Sequence, residues 1–121
     1  TQDSAGFFEE QAIYDNYGGV AFDVEEGNSI AEALGDKKTV ILQNHGLLTT
    51  GTNVDTAVWL FISMDKCCQS QLLAEAAGEP TLIPDEIALH AKAQAGSDLV
   101  LWASFQPLYD LIYKMQPDFL D

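Results

Sequence analysis

The spacing of apolar residues changes several times along the chain, and each change marks an element. Thr39-Val40-Ile41-Leu42 is β-branched and continuously apolar, the texture of a strand buried on both faces. A polar triplet, Gln43-Asn44-His45, follows with Gly46, and Leu47-Leu48-Thr49-Thr50 then reads as a second strand closed by Gly51. The pattern is strand-turn-strand, with His45 at or near the tip. Over residues 53–77 the spacing turns to threes and fours, through Val54, Val58, Phe61, Ile62, Asp65, Cys68, Leu72 and Ala76, which predicts a long helix. Asn53 is a good N-cap, Asp55 suits the positive end of the helix dipole, and Gly78 with Pro80 stops the run. The first half of this helix is apolar over more than one stripe. That predicts burial on two sides, between layers or at a subunit interface.

The flanking segments are less regular. Residues 5–17 mix aromatics with acids up to a Gly18-Gly19 turn, and their period fits either a short helix or an edge strand. Val20-Ala21-Phe22 predicts a brief strand. Residues 28–35 predict a short helix capped by Asn28 or Ser29 and ended by Gly35. After Pro84, residues 85–95 predict a polar amphipathic helix, Gly96-Ser97 a break, and residues 98–115 a further helix interrupted at Pro107. The last residues predict a loose tail whose Phe119 and Leu120 either dock on a neighbour or fray.

Composition narrows the function classes. The 121 residues suit one compact domain, and no apolar run is long enough to cross a membrane. Thr1-Gln2-Asp3-Ser4 carries no features of a secretory signal. Cys67 and Cys68 are adjacent, and a vicinal disulfide is strained, so reduced thiols in a cytoplasmic protein are expected. The net charge is -14, the five cations are all lysines, and the first 36 residues hold nine acids and no base. Such a chain lacks the counterion-releasing contacts that nucleic acid requires, and an anionic membrane surface repels it. No Walker or Rossmann glycine pattern supports a nucleotide cofactor.

The run from Val40 to Gly51, with its central Gln43-Asn44-His45-Gly46, followed by a helix opening Val54-Asp55-Thr56-Ala57, resembles the second half of the class II aldolase/adducin family. The likeness is strongest over residues 18–78, and the wording around Trp59 and Cys67-Cys68 is most similar to the fungal branch. It implies a partial three-layer α/β/α domain with a mainly antiparallel sheet over residues 1–83, and a C-terminal helical extension over residues 84–121. It further implies a divalent, zinc-type metal held by three histidines, a small carbonyl substrate and a homo-oligomer with active sites between subunits. His45 matches the third metal-ligating histidine of the family, with Asn44 and Gly46 beside it as candidate substrate contacts. The other two ligands form a His-x-His pair upstream in the family. This chain has only His45 and His90 and no such pair. It is expected to be a fragment of a longer domain or a naturally shortened member, with an incomplete metal site.

The residues themselves leave simpler roles open. Asn44 can shape the turn through its own backbone, and His90 fits a solvated helix position beside Lys92. Asp23, Glu25 and Glu26 fit a solvated loop. Tyr109 and Tyr113 share a helix face and fit packing. Cys67-Cys68 has no histidine beside it to make a nucleophile. Three functions follow: an aldolase-type lyase acting beside a carbonyl, an adducin-like assembly module without catalysis, or a shortened member that takes an apolar small molecule without metal in a pocket of Trp59, Phe61, Trp102 and Tyr109.

Overall fold

In the computed structural model, which describes residues 1–20 and 22–120, the continuously apolar segment is strand β2 (Thr39–Leu42) at the centre of a three-stranded sheet. Strand β1 (Gln11–Tyr14) pairs with it in parallel, from Gln11 opposite Thr39 to Tyr14 opposite Leu42. Strand β3 (Gly46–Thr49) pairs on the other side, antiparallel, from Gly46 opposite Leu42 to Thr49 opposite Thr39. The sheet in this chain is therefore mixed, with one antiparallel pairing of the two. Successive side chains of a strand point to opposite faces, and β2 uses both. Val40 and Leu42 pack with Tyr14 and Leu48 under helix α1 (Val24–Leu34), against Ile30, Ala33 and Leu34. Ile41 and Leu47 face the other way, onto Leu60 and Met64 of helix α2 (Val54–Ala77). Phe7, from a 3-10 turn at Asp3–Phe7, and Leu101, from helix α4 (Asp98–Met115), complete that second cluster. Helix, sheet and helix make the three expected layers.

The ends of the long helix follow the capping logic. Asn53 accepts a hydrogen bond from the amide of Thr56 at 2.8 Å, and the amide of Gly78 returns to the carbonyl of Ala74. Only Thr56, Leu60 and Met64 of α2 are buried. The helix is flanked by β3, the N-terminal turn and α4, yet Val54, Val58 and Phe61 stay exposed. Helix α3 (Asp85–Ala95) lies against the N-terminal turn, tied by a 2.8 Å ion pair between Lys92 and Glu10. Lys38 of the loop before β2 donates to the carbonyl of Gly96 at 3.0 Å and approaches Asp98 at 3.4 Å, fixing the junction of α3 and α4. No helix among the described residues is long and apolar enough to cross a membrane.

Four local expectations need correction. Helix α1 begins at Val24 because Asp23, rather than Asn28 or Ser29, is the cap: its carboxylate accepts from the amide of Glu26 at 2.8 Å. Ser29 lies inside the helix and turns its hydroxyl back onto the carbonyl of Glu25. The strand expected at residues 20–22 is not formed by Val20 or Phe22, both exposed, and Ala21 lies outside the described residues. An apolar triplet becomes a strand only where a neighbour offers hydrogen bonds, and both sides of β2 are already taken. Helix α4 runs unbroken through Pro107. Packing along α2, with Gln106 bonded to Asp55 at 2.9 Å, offsets the roughly 3 kcal/mol that an interior proline costs. The tail is ordered rather than frayed. Pro117–Leu120 forms a 3-10 turn, and the ring of Phe119 meets Tyr109 edge-on at 5.9 Å.

Gly51 joins β3 to α2 at very close range. A Cβ there would stand 2.8 Å from the amide nitrogen of Ala57 and 2.9 Å from Cγ2 of Thr56. Gly51→Ala is expected to destabilise the chain by about 1–3 kcal/mol, as overpacking does. Urea unfolding checks this, and an unchanged midpoint would contradict the close approach.

Candidate functional site

The sequence motif forms the tip of the β2–β3 hairpin. Three residues, Gln43, Asn44 and His45, connect the strands. The amide of His45 donates to the carbonyl of Leu42 at 3.0 Å and closes a four-residue turn. Its third position is Asn44, whose φ of 57° lies in the left-handed region. Turns of this kind need glycine or asparagine there, because asparagine tolerates that region better than other side chains. The amide of Gln43 donates to the carbonyl of Tyr14 at 2.9 Å, so β1 anchors the turn from the other side. Directly behind the tip lie Leu42 and the fully buried Val40. A tight turn mounted on a buried strand holds the backbone of His45 in place, while its imidazole is exposed.

Asn44, His45 and Gly46 are thus brought together by one turn, and all three are exposed. No atom comes within 4 Å of where a Cβ on Gly46 would stand, so this face of the tip is open to a ligand. The other candidates are placed elsewhere. His90 is exposed on α3. Asp23 serves as a helix cap. Trp59 lines a depression beside Leu101, and Tyr109 lines a different one beside Phe119; Phe61 and Trp102 line neither. The four aromatics do not form the single apolar pocket expected of them.

A groove that the candidate residues did not foretell runs between the N-terminal turn, the sheet and α2. It has a volume of about 510 Å³ and is walled by Phe8, Ile41, Met64, Cys67, Cys68 and Leu72. The helical spacing of Met64, Cys67 and Cys68 was visible in the sequence; the approach of Phe8 and Ile41 was not. Both cysteines are free. Burial pushes the Cys67 thiol above its ordinary value, and nearby Asp3 adds to the push. It is therefore a neutral thiol at pH 7.

A metal centre asks for more than the tip provides. Among the described residues, no three His, Cys, Asp or Glu side chains come together as a metal-binding group. The donors present do not fit a complete three-ligand site.

Residues 1–72 match the model of a family described as Class II Aldolase and Adducin N-terminal domain. The chain belongs to the class II aldolase and adducin family. Among solved structures it is similar to the L-fuculose 1-phosphate aldolase from Glaciozyma antarctica PI12, with a TM-score of 0.85 and 37% identity, covering 98% of this chain and 44% of that one. Among curated proteins it is 42% identical over 98% of its length to the Decarboxylase NovR of Streptomyces niveus, covering 44% of it. It is also 42% identical, over 98% of its length, to the 4-hydroxy-3-prenylphenylpyruvate oxygenase/4-hydroxy-3-prenylbenzoate synthase of Streptomyces roseochromogenus subsp. oscitans, covering 43% of that protein. The chain spans under half the length of these relatives. What the described residues hold is part of a class II aldolase-type α/β domain.

The role of Asn44 in the turn can be separated from any contact it makes with substrate. Asn44→Ala should lower stability by about 1–2 kcal/mol, the cost of a left-handed residue that carries a Cβ. Asn44→Gly should leave thermal unfolding close to that of the parent chain. Equal losses in the two variants would contradict the backbone role.

Proposed function

We propose that this chain contributes His45 to the active centre of a class II aldolase-like lyase, which breaks or forms a carbon–carbon bond beside a carbonyl. The supporting observation is the exposed imidazole on a turn braced by Val40, Leu42 and β1, in a chain of this family. In this reading His45 is one ligand of a divalent, zinc-type metal. Its partner ligands come from the part of a full-length family member that these 121 residues do not span. Such a centre uses three protein ligands and leaves a position for substrate. Asn44 and Gly46 border the same tip and meet the substrate there. Residues 1–83 are the family domain, and residues 84–121 are an extension whose Leu101 packs back into its core. The protein is a cytoplasmic homo-oligomer, which would cover exposed apolar residues such as Val54, Phe61 and Leu72.

A second reading rests on two relatives at 42% identity. One is a decarboxylase, and the other names as substrate a prenylated aromatic 2-oxo acid. Carbon–carbon cleavage beside a carbonyl is shared by both readings; the substrate and the need for metal divide them.

The test starts by reading the coding frame on both sides of residues 1–121 and purifying the protein it encodes. The lyase reading expects about one divalent metal per chain and cleavage of a phosphorylated hydroxy-carbonyl compound. His45→Ala should then lose the metal and lower kcat/KM by about 100-fold or more. Full turnover in a metal-free His45→Ala protein would sink the metal-lyase reading. Conversion of an aryl 2-oxo acid by that protein would establish the second.

A further inference from the structure

The chain exposes 8437 Å² of accessible surface at a mass of 13.2 kDa. A compact monomeric domain of that mass exposes roughly 6,400 Å², so about 2,000 Å² here is surface that a closed monomer would bury. Part of it is an apolar face on the helix pair α2 and α4. Gln106 meets Asp55, while Val100 and Lys66 border one depression further along, so the two helices run antiparallel. Val54, Val58 and Phe61 recur at i, i+4 and i+7 and form one stripe of α2. Trp102, Tyr109 and Tyr113 share the side of α4 that carries Gln106, at i−4, i+3 and i+7 from it. All six are exposed, Phe61 by 46% and Trp102 by 41%. The Gln106–Asp55 hydrogen bond closes the seam between the two stripes. Strand β3 leads away from the hairpin tip, so the first turns of α2 stand at the opposite end of the sheet from His45.

Resting on the homo-oligomer proposed above, we infer that this face binds a second copy of the chain. The contact is two-fold: α2 and α4 of one copy pack on the same two helices of the other. Charge selects the place. At -14 each, two copies repel over most of their surface. Residues 56–64 of α2 and 99–109 of α4 carry no charged side chain, and Asp55 beside them is held by Gln106. Here two copies can approach. Size agrees with charge. A stable contact covers about 800 Å² on each partner, less than half of the excess surface. The side chains are also of the right kind, since Phe, Trp and Tyr gather at the centres of interfaces and charged groups avoid them. A helix side that faced only water would carry polar residues instead. A two-fold contact uses the same patch on both copies and closes on itself, so it stops at a pair. It leaves the His45 tip free.

Sedimentation equilibrium of the 121-residue chain tests the contact without metal or substrate, so it fails separately from the lyase assignment. The chain should reach twice its mass of 13.2 kDa. Phe61→Glu and Trp102→Glu should each weaken the pair by about 100-fold. Phe22→Glu should leave it intact, because Phe22, though 91% exposed, precedes α1 on the other side of the sheet. Added salt should tighten the pair by screening the like charges. A monomer at every concentration, equal losses in Phe22→Glu and Phe61→Glu, or a pair that weakens in salt would each overturn the proposal. Hydroxyl-radical labelling of the wild type at rising concentration decides the case in which a glutamate unfolds the helices. Trp102 and Tyr109 should become protected while Tyr17 stays reactive; unchanged labelling of all three would contradict the contact. The longer protein from the surrounding coding frame should show the same pattern. Protection of Trp102 and Tyr109 in a monomer of that protein would mean that its own remaining segments cover the face, and would also overturn the proposal.

Discussion

Val40 has no exposed surface, with Tyr14 and Leu48 beside it and α1 above, while the next residue, Ile41, faces α2 on the opposite side. Both helical layers are thus held to one four-residue strand. Burying side chains of this size contributes about 1.5–3 kcal/mol each. More important is what the double burial forbids. A shift of one residue in the register of β2 would exchange its two faces and misalign both layers together. The register therefore has one solution, and the turn that follows Leu42 has one position. The placement of His45 is a consequence of that burial.

The parts of the fold that rest on strong local chemistry were legible in the sequence. The apolar run of β2, the Asn53 cap, the Gly78 stop and the histidine turn are each decided within a few residues, and the structure forms all of them. What local chemistry left open was decided by neighbours. Asn28 and Ser29 read as a helix start, yet they lie inside α1 because Asp23 caps it first. Pro107 reads as a break, yet packing on α2 carries α4 through it. Residues 11–14 look ambiguous alone and become a strand only because β2 offers a parallel edge. The candidate site divides in the same way. Asn44, His45 and Gly46 are contiguous and could be read together, whereas the groove beside Cys67 and Cys68 needs Phe8 and Ile41, brought to α2 by the tertiary fold.

A chain that spans under half the length of its relatives separates two properties of a site, its support and its donors. The support for the His45 turn is complete here: strand, turn and helix layers all lie within residues 1–121. The donor set is not complete among the described residues. Support for the hairpin comes from apolar packing and backbone hydrogen bonds, which need no metal.

That independence is measurable by amide hydrogen exchange on the metal-free chain. The amides of Gln43 and His45 are bonded to the carbonyls of Tyr14 and Leu42. If the burial of β2 holds the turn, both should exchange slowly, on the timescale of the amides within β2 itself. Exchange of these two amides at the rate of an unstructured peptide, while β2 stays protected, would contradict a preformed mount for His45.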